Sequence, residues 1–376
     1  MPIKDRIVTW YIQNIILPRR EIIDKPGFLI TSFTEQKQTT YLRDLLLPEK
    51  LFEEIEKRIV LEYGDRGKQA LYSAGKKFGY LYPSLSNFPT IHNCSDKEFS
   101  DFIYLFVRYV EGTYAKQIEH ELDIKNKTAK MYCDDYIICR HNGLGYIMTD
   151  GVCGGIVAYE FQDNSIEGVQ LECQGKGDNK CYVLCAPEKI IQEKTKNFFR
   201  EKELCILKFD INYKAMNEIR PTQSSNSLKQ LLDTGYFDYS HGIFSYKDMR
   251  FFLCDSHLLY LLEQEIFKLE NGEQILFEAC FSYGEFLQKT YGGTDYYKFL
   301  PDFFPALGFG DIIILDPHKL SIVSVYYPWS ILSKNSRYII FRGIMSGFIS
   351  SSLKKKVEFF NYNIDEKTFL TITIST

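Results

Sequence analysis

The chain has 376 residues, 45% hydrophobic and 25% charged, with a net charge of −4. This is an ordinary globular composition with the length of about two domains. It excludes a disordered or collagen-like chain and argues against a dedicated nucleic-acid binder, which carries a basic domain.

The first 26 residues read as an amphipathic extension. Its apolar stretch Ile7–Leu17 is interrupted by Thr9, Gln13 and Asn14. A spanning helix needs about 20 mostly apolar residues. No small-residue cleavage site precedes the Arg19-Arg20 pair, so the stretch does not read as a signal peptide. A cytoplasmic protein without a membrane span is expected. In that compartment the ten cysteines are thiols or metal ligands rather than disulfides. The 27 Tyr and 29 Phe fit a bias toward Lys, Ile, Tyr, Phe and Asn; the alternative is an aromatic-lined pocket.

From Gly27 the pattern is α+β. Strands are predicted near Gly27–Phe33 and Thr39–Leu47. A helix follows over Pro48–Tyr63, with Leu51, Phe52, Ile55, Ile59 and Val60 at helical spacing. A small-residue helix comes next over Gly67–Gly79, then a third helix near Asp96–Glu111. Strands Gln117–Asp123 and Thr128–Asp134 precede a short helix beginning near Cys153. A hairpin of Ile166–Cys173 and Lys180–Cys185 closes the unit. Ala186–Lys202 reads as a solvated connecting helix, and Asn212–Leu232 as a polar linker.

The second half repeats the first. Gly67-Lys-Gln-Ala-Leu-Tyr-Ser-Ala-Gly-Lys-Lys-Phe-Gly79 matches Gly272-Glu-Gln-Ile-Leu-Phe-Glu-Ala-Cys-Phe-Ser-Tyr-Gly284 at an offset of 205. Cys153-Gly-Gly155 matches Phe341-Arg-Gly343 at an offset of 188, and Cys181–Leu184 matches Phe369–Ile372 at the same offset. Copy two is thus shorter, with the loss placed opposite Ser84–Lys97. The expected units are 27–186 and 236–376, joined by 187–235.

The most informative stretch is Glu172-Cys173-Gln-Gly175-Lys-Gly177-Asp178-Asn-Lys-Cys181-Tyr-Val-Leu-Cys185. The strand ends that flank a hairpin turn face each other, so Cys173 and Cys181 can share a ligand point. Cys153 is a third candidate. Thiolates so placed suit zinc, which takes four tetrahedral ligands. A buried cysteine pair or a disulfide is the alternative. Cys94, Cys133, Cys139, Cys205, Cys254 and Cys280 read as small buried hydrophobes.

The Gly75…Gly79 helix, the Cys153-Gly-Gly segment and the closing Glu-Cys-x-Gly-x-Gly-Asp-x-x-Cys hairpin resemble the 4-vinyl reductase-like domain family. The resemblance covers copy one well and copy two as a degraded version. It implies a fold shared with the small tethering subunits of the TRAPP complex and with sensor domains of phenol-responsive bacterial activators. In those sensors a structural zinc is held by three cysteines and one glutamate. Carried over, the cysteines are Cys153, Cys173 and Cys181. The glutamate position, three residues before the first hairpin cysteine, is Gln170 here. Neutral Gln is a poor zinc ligand, which leaves Cys185 or Glu172 as the fourth donor. In copy two Asn361 and Phe369 replace the hairpin cysteines, so no metal is expected there.

No catalytic constellation is legible. The six histidines form no HExxH pair. Gly175-x-Gly177 is not a dinucleotide fingerprint, Gly308-Phe309-Gly310-Asp311 reads as a turn, and there is no Walker A motif. The favoured function is a sensor or scaffold for a small apolar or aromatic ligand, with a structural zinc. Its partners would be that ligand and a protein partner or a second copy. The alternatives are a reductase-like enzyme acting on a tetrapyrrole or another vinyl-bearing substrate, and a TRAPP-like interaction subunit.

Overall fold

The structure is a computed structural model. It describes residues 3–16, 23–35, 38–139, 143, 147–206, 226–240, 243–292, 295–316, 320–330, 332–333, 336–364 and 369–373. The fold is α+β, with antiparallel sheets packed against helices.

Helix α1 (Ile3–Tyr11) precedes strands β1 (Ile23–Lys25), β2 (Phe28–Glu35) and β3 (Gln38–Pro48). Helices α2 (Glu49–Tyr63) and α3 (Asp65–Leu85) follow, separated only by Gly64. Gly64 has φ +54, a left-handed turn that glycine adopts without steric cost. Helix α4 (Asp96–Tyr114) begins with a capping box. The Ser95 side chain accepts from the Glu98 N–H, and the Glu98 carboxylate accepts from the Ser95 N–H at 2.9 Å. Then come β4 (Gln117–Asp123), β5 (Thr128–Asp134), α5 (Ile147–Glu160), β6 (Ile166–Glu172), β7 (Cys181–Pro187) and α6 (Glu188–Lys194).

The second half runs through α7 (Leu228–Asp233), β8 (Asp238–Ser240), β9 (Ile243–Tyr246), β10 (Met249–Asp255), α8 (His257–Ile266), α9 (Gly272–Leu287) and α10 (Tyr296–Ala306). It ends with β11 (Asp311–Asp316), β12 (Ser321–Val325), α11 (Ile339–Leu353), β13 (Asn361–Ile364) and β14 (Phe369–Thr373). No described helix is long and apolar enough to cross a membrane.

Two sheets have the same topology. Their orders are β4-β5-β7-β6 and β11-β12-β14-β13. The third sheet joins the halves in the order β1-β2-β3-β10-β9-β8. Its central strands pair antiparallel with Leu46 opposite Leu253, so the two meanders are related by a local two-fold axis. Leu45, Leu46, Leu47 and Phe251 are fully buried at this seam. One hydrophobic cluster runs through both halves, and a second lies between α4, α5 and the β4–β7 sheet.

Each half contains a helix pair in backbone contact. A Cβ on Gly151 would meet the Tyr72 carbonyl at 2.2 Å, and one on Gly155 would meet the Lys76 carbonyl at 2.2 Å. In the second half Gly343 would meet the Phe277 carbonyl at 2.8 Å and Gly347 the Phe281 carbonyl at 1.9 Å. Tyr72 and Lys76 correspond to Phe277 and Phe281 at the offset of 205. Gly151 and Gly155 therefore correspond to Gly343 and Gly347, at an offset of 192. This corrects the 188 register by one helical turn: the counterpart of Cys153 is Met345, not Phe341.

Three further expectations change. Cys153 lies midway along α5 rather than at its start. The shortening of copy two falls largely within the third helix, which has 19 residues in α4 and 11 in α10. The connecting helix spans only Glu188–Lys194 of the expected Ala186–Lys202, and 197–206 form no regular element.

Candidate functional site

The β6–β7 turn positions the cysteines. A 3-10 turn over Gln174–Lys176 ends at Gly177, φ +104, so the chain folds back sharply between Cys173 and Cys181. The Asp178 carboxylate accepts from the Cys173 N–H at 2.7 Å and holds the turn closed. A third sulfur arrives from the segment that leaves β5. The Cys139 Sγ lies 2.9 Å from that of Cys173 and 3.4 Å from that of Cys181, and all three residues are buried.

Donors reach these sulfurs, and the negative charge they favour sits on Cys173, while Cys181 is pushed up. The Gln174 N–H donates to the Cys181 Sγ at 3.4 Å. Hydrogen bonds from Cys139, from Cys181 and from the Lys176 and Gly175 N–H groups hold the Cys173 thiol well below its ordinary pKa. The same bond to Cys173 pushes Cys139 up, so the proton stays there. A Cβ on residue 175 would sit 2.1 Å from the Cys139 carbonyl, so only glycine lets the turn approach this closely.

A metal ion fits this donor set. Sulfurs around tetrahedral zinc sit about 3.8 Å apart, given Zn–S of about 2.3 Å. The cluster reaches that spacing if its sulfurs part by less than an ångström. The Gln170 amide completes the surround, with its Nε2 3.7 Å from the Cys139 Sγ. Turned about, the same amide would present its oxygen to the sulfurs.

Of the residues expected to bind metal, the structure brings Cys173 and Cys181 together. Cys153, Cys185 and Glu172 lie outside the cluster. Cys153 borders the cavity described next, Cys185 is buried farther along β7, and Glu172 is exposed at the end of β6. Cys139, expected from the sequence to be only a small buried hydrophobe, takes the third place. No motif or spacing in the sequence ties Cys139 to that hairpin.

In copy two β14 begins at Phe369, as β7 begins at Cys181, and the pairing confirms the correspondence: Phe369 lies opposite Val325 and Cys181 opposite Cys133. Asn361 starts β13 and is not the counterpart of Cys173, which follows the end of β6. The position after β13 and the Phe369 side chain lie outside the described residues.

The second feature is a cavity of about 150 Å³ between α4, α5 and the β4–β5 hairpin. Ile103, Val107, Ile156 and Phe161 give it apolar walls. The other half closes it: Phe252 and Leu253 of β10 and Leu258 of α8 lie on its border. The Tyr114 hydroxyl, also at the border, donates to the Leu253 carbonyl at 2.5 Å across the seam.

Among the described residues, large aromatic side chains occupy the corresponding region of copy two. Ile156 corresponds to Phe348, which is fully buried. Phe348 stacks on Phe299 of α10 at 5.1 Å, and Phe299 stacks on Phe303 at 4.9 Å.

No family model matches the chain, and no curated protein matches it. One similar solved structure is the phenol-responsive sensory domain of the transcription activator PoxR with phenol. It shares 14% identity at a TM-score of 0.32, over 52% of this chain and all of that one. So distant a likeness does not place the chain in the 4-vinyl reductase-like family.

Proposed function

We propose that the chain binds a small apolar ligand in the copy-one cavity and holds a structural zinc ion at Cys139, Cys173 and Cys181. The units are 27–186 and 236–376, joined by 187–235. The observation that carries the reading is the asymmetry between the halves. Both build the same helix pair and sheet, yet the space is open in one and packed with Phe348, Phe299 and Phe303 in the other. A void in a core forfeits packing and transfer energy, of order 24 cal/mol per Å³. An apolar cavity of this size accommodates a single aromatic ring.

The zinc serves the fold rather than chemistry. Its three sulfurs are buried, two of them at the turn that joins β6 to β7 and the third on the segment that leaves β5. Nothing among the described residues favours the reductase or tethering readings.

The test is calorimetric titration of the purified chain with toluene. One saturable site is expected in the wild type. Ile156→Phe, which installs the side chain of copy two, should abolish it while the variant stays folded. Equal binding by both proteins would remove the cavity from the reading. Elemental analysis should give about one zinc per chain.

A further inference from the structure

Glu160 stands apart among the residues bordering the cavity. It ends α5, is 1% exposed, and its Oε1 has no hydrogen-bond partner. Its main-chain carbonyl accepts from the Ile91 N–H at 2.9 Å, which secures the helix end without the side chain. The other acids on the border are engaged. Asp44 accepts from the Thr31 hydroxyl at 2.5 Å, Glu121 pairs with Lys130 at 2.7 Å, and Asp255 pairs with His257 at 2.5 Å.

A glutamate is almost never fully buried without a partner. Burial alone pushes the Glu160 carboxyl well above its ordinary range, with no neighbouring charge contributing. It therefore presents one donor and one acceptor to the cavity. A hydroxyl both donates and accepts, and so matches that pair through one atom. An ammonium would bring three donors and no acceptor for the carboxyl proton, and a carboxylate would bring no donor.

We propose that Glu160 is the specificity-determining residue of the cavity, hydrogen-bonding a hydroxyl on a neutral ligand of single-ring size. This rests on the reading of the cavity as a ligand site. The ring occupies the space between Ile103, Val107 and Ile156, and its hydroxyl end points toward the end of α5.

Titration of the full chain with toluene, benzyl alcohol and benzylamine tests it. Toluene leaves water more readily than benzyl alcohol does. The wild type should nevertheless bind benzyl alcohol at least as tightly as toluene, and benzylamine more weakly. In Glu160→Leu, benzyl alcohol should lose tenfold or more relative to toluene. Glu160→Gln, which keeps a donor and an acceptor, should retain most of the preference.

A second readout does not depend on the folding of the leucine variant. In infrared difference spectra, benzyl alcohol should shift a protonated-carboxyl band of the wild type that Glu160→Gln lacks, and toluene should not shift it. Tighter toluene binding by the wild type, tightest binding of benzylamine, a preference that survives Glu160→Leu, or an unshifted band would each overturn the proposal. If neither toluene nor benzyl alcohol binds, the ligand-site reading fails first and this inference falls with it.

Discussion

A sulfur cluster made of Cys139, Cys173 and Cys181 separates two ligand sets by experiment. Cys139→Ser, Cys173→Ser and Cys181→Ser should each strip zinc from the chain and lower its stability by about 3 kcal/mol or more, because metal binding is coupled to folding. Cys153→Ser and Cys185→Ser should leave the zinc content unchanged, since both lie outside the cluster. Elemental analysis with urea unfolding reads both effects. Zinc lost from Cys153→Ser and kept by Cys139→Ser would restore the set expected from the sequence. Gln170→Glu should hold zinc more tightly against a chelator, because a carboxylate is an ordinary zinc ligand and an amide is not.

Helix pairs in backbone contact carry the architecture of both halves, and their glycines are the sensitive points. Gly155→Ala and Gly347→Ala each place a methyl about 2 Å from a carbonyl oxygen, at 2.2 and 1.9 Å. The helices must separate to admit it, at a cost of about 1–3 kcal/mol or more. Urea midpoints well below wild type are expected, and unchanged midpoints would show that the helices do not touch. The start of each second helix is also held by a buried glutamate. Glu56 accepts from the Met148 N–H at 3.4 Å, and Glu263 accepts from the Ile340 N–H at 3.0 Å. Burial pushes Glu263 up to about 7, against the pull of Ile340, Ser336 and Trp329. The folded state therefore holds a proton that the unfolded state releases near its ordinary value of 4.5. The stability this adds is complete below about 4.5 and lost as pH rises through about 7, up to about 3 kcal/mol in all. Relative to Glu263→Gln, the wild type should lose that much between pH 4.5 and 8, measured by urea unfolding at each pH. A pH-independent difference refutes the assignment.

Across the whole molecule, the six-stranded sheet joins the halves, which should therefore unfold as one cooperative unit. Leu45, Leu46, Leu47 and Phe251 are fully buried where β3 meets β10, so neither half can open without exposing the core of the other. Trp329 is fully buried in copy two, whereas the sulfur cluster lies in copy one. The chain has two Trp, so a Trp10→Phe background leaves Trp329 as the sole tryptophan reporter. Zinc release and Trp329 fluorescence should then follow one urea transition, the test of two-state behaviour. Two separated transitions would show that the seam does not couple the halves. Leu46→Asp, which buries a charge opposite Leu253, should shift both signals together to lower urea.

Local pattern carried much of this in advance. Helical spacing at Leu51, Phe52, Ile55 and Ile59 and the alternation around the Cys173–Cys181 turn are properties of neighbouring residues, and they place an α+β chain with a closing hairpin. The anchor at Gly67–Gly79 and Gly272–Gly284 was legible because small residues recur wherever two helices touch. The register of the other helix was not. A slip of four residues is close to one turn and leaves apolar residues on nearly the same face, so pattern alone could not choose 192 over 188. Cys139 lies outside any regular strand or hairpin, 34 residues before Cys173, and no periodicity ties it to that turn; only the path of the chain after β5 brings its sulfur there. The cavity is less legible still, because a void depends on how side chains from several elements fill a shared space. Ile156 on one side and Phe348 on the other are both ordinary buried residues in the sequence, and tertiary packing alone decides that one leaves room for a ring and the other supplies it.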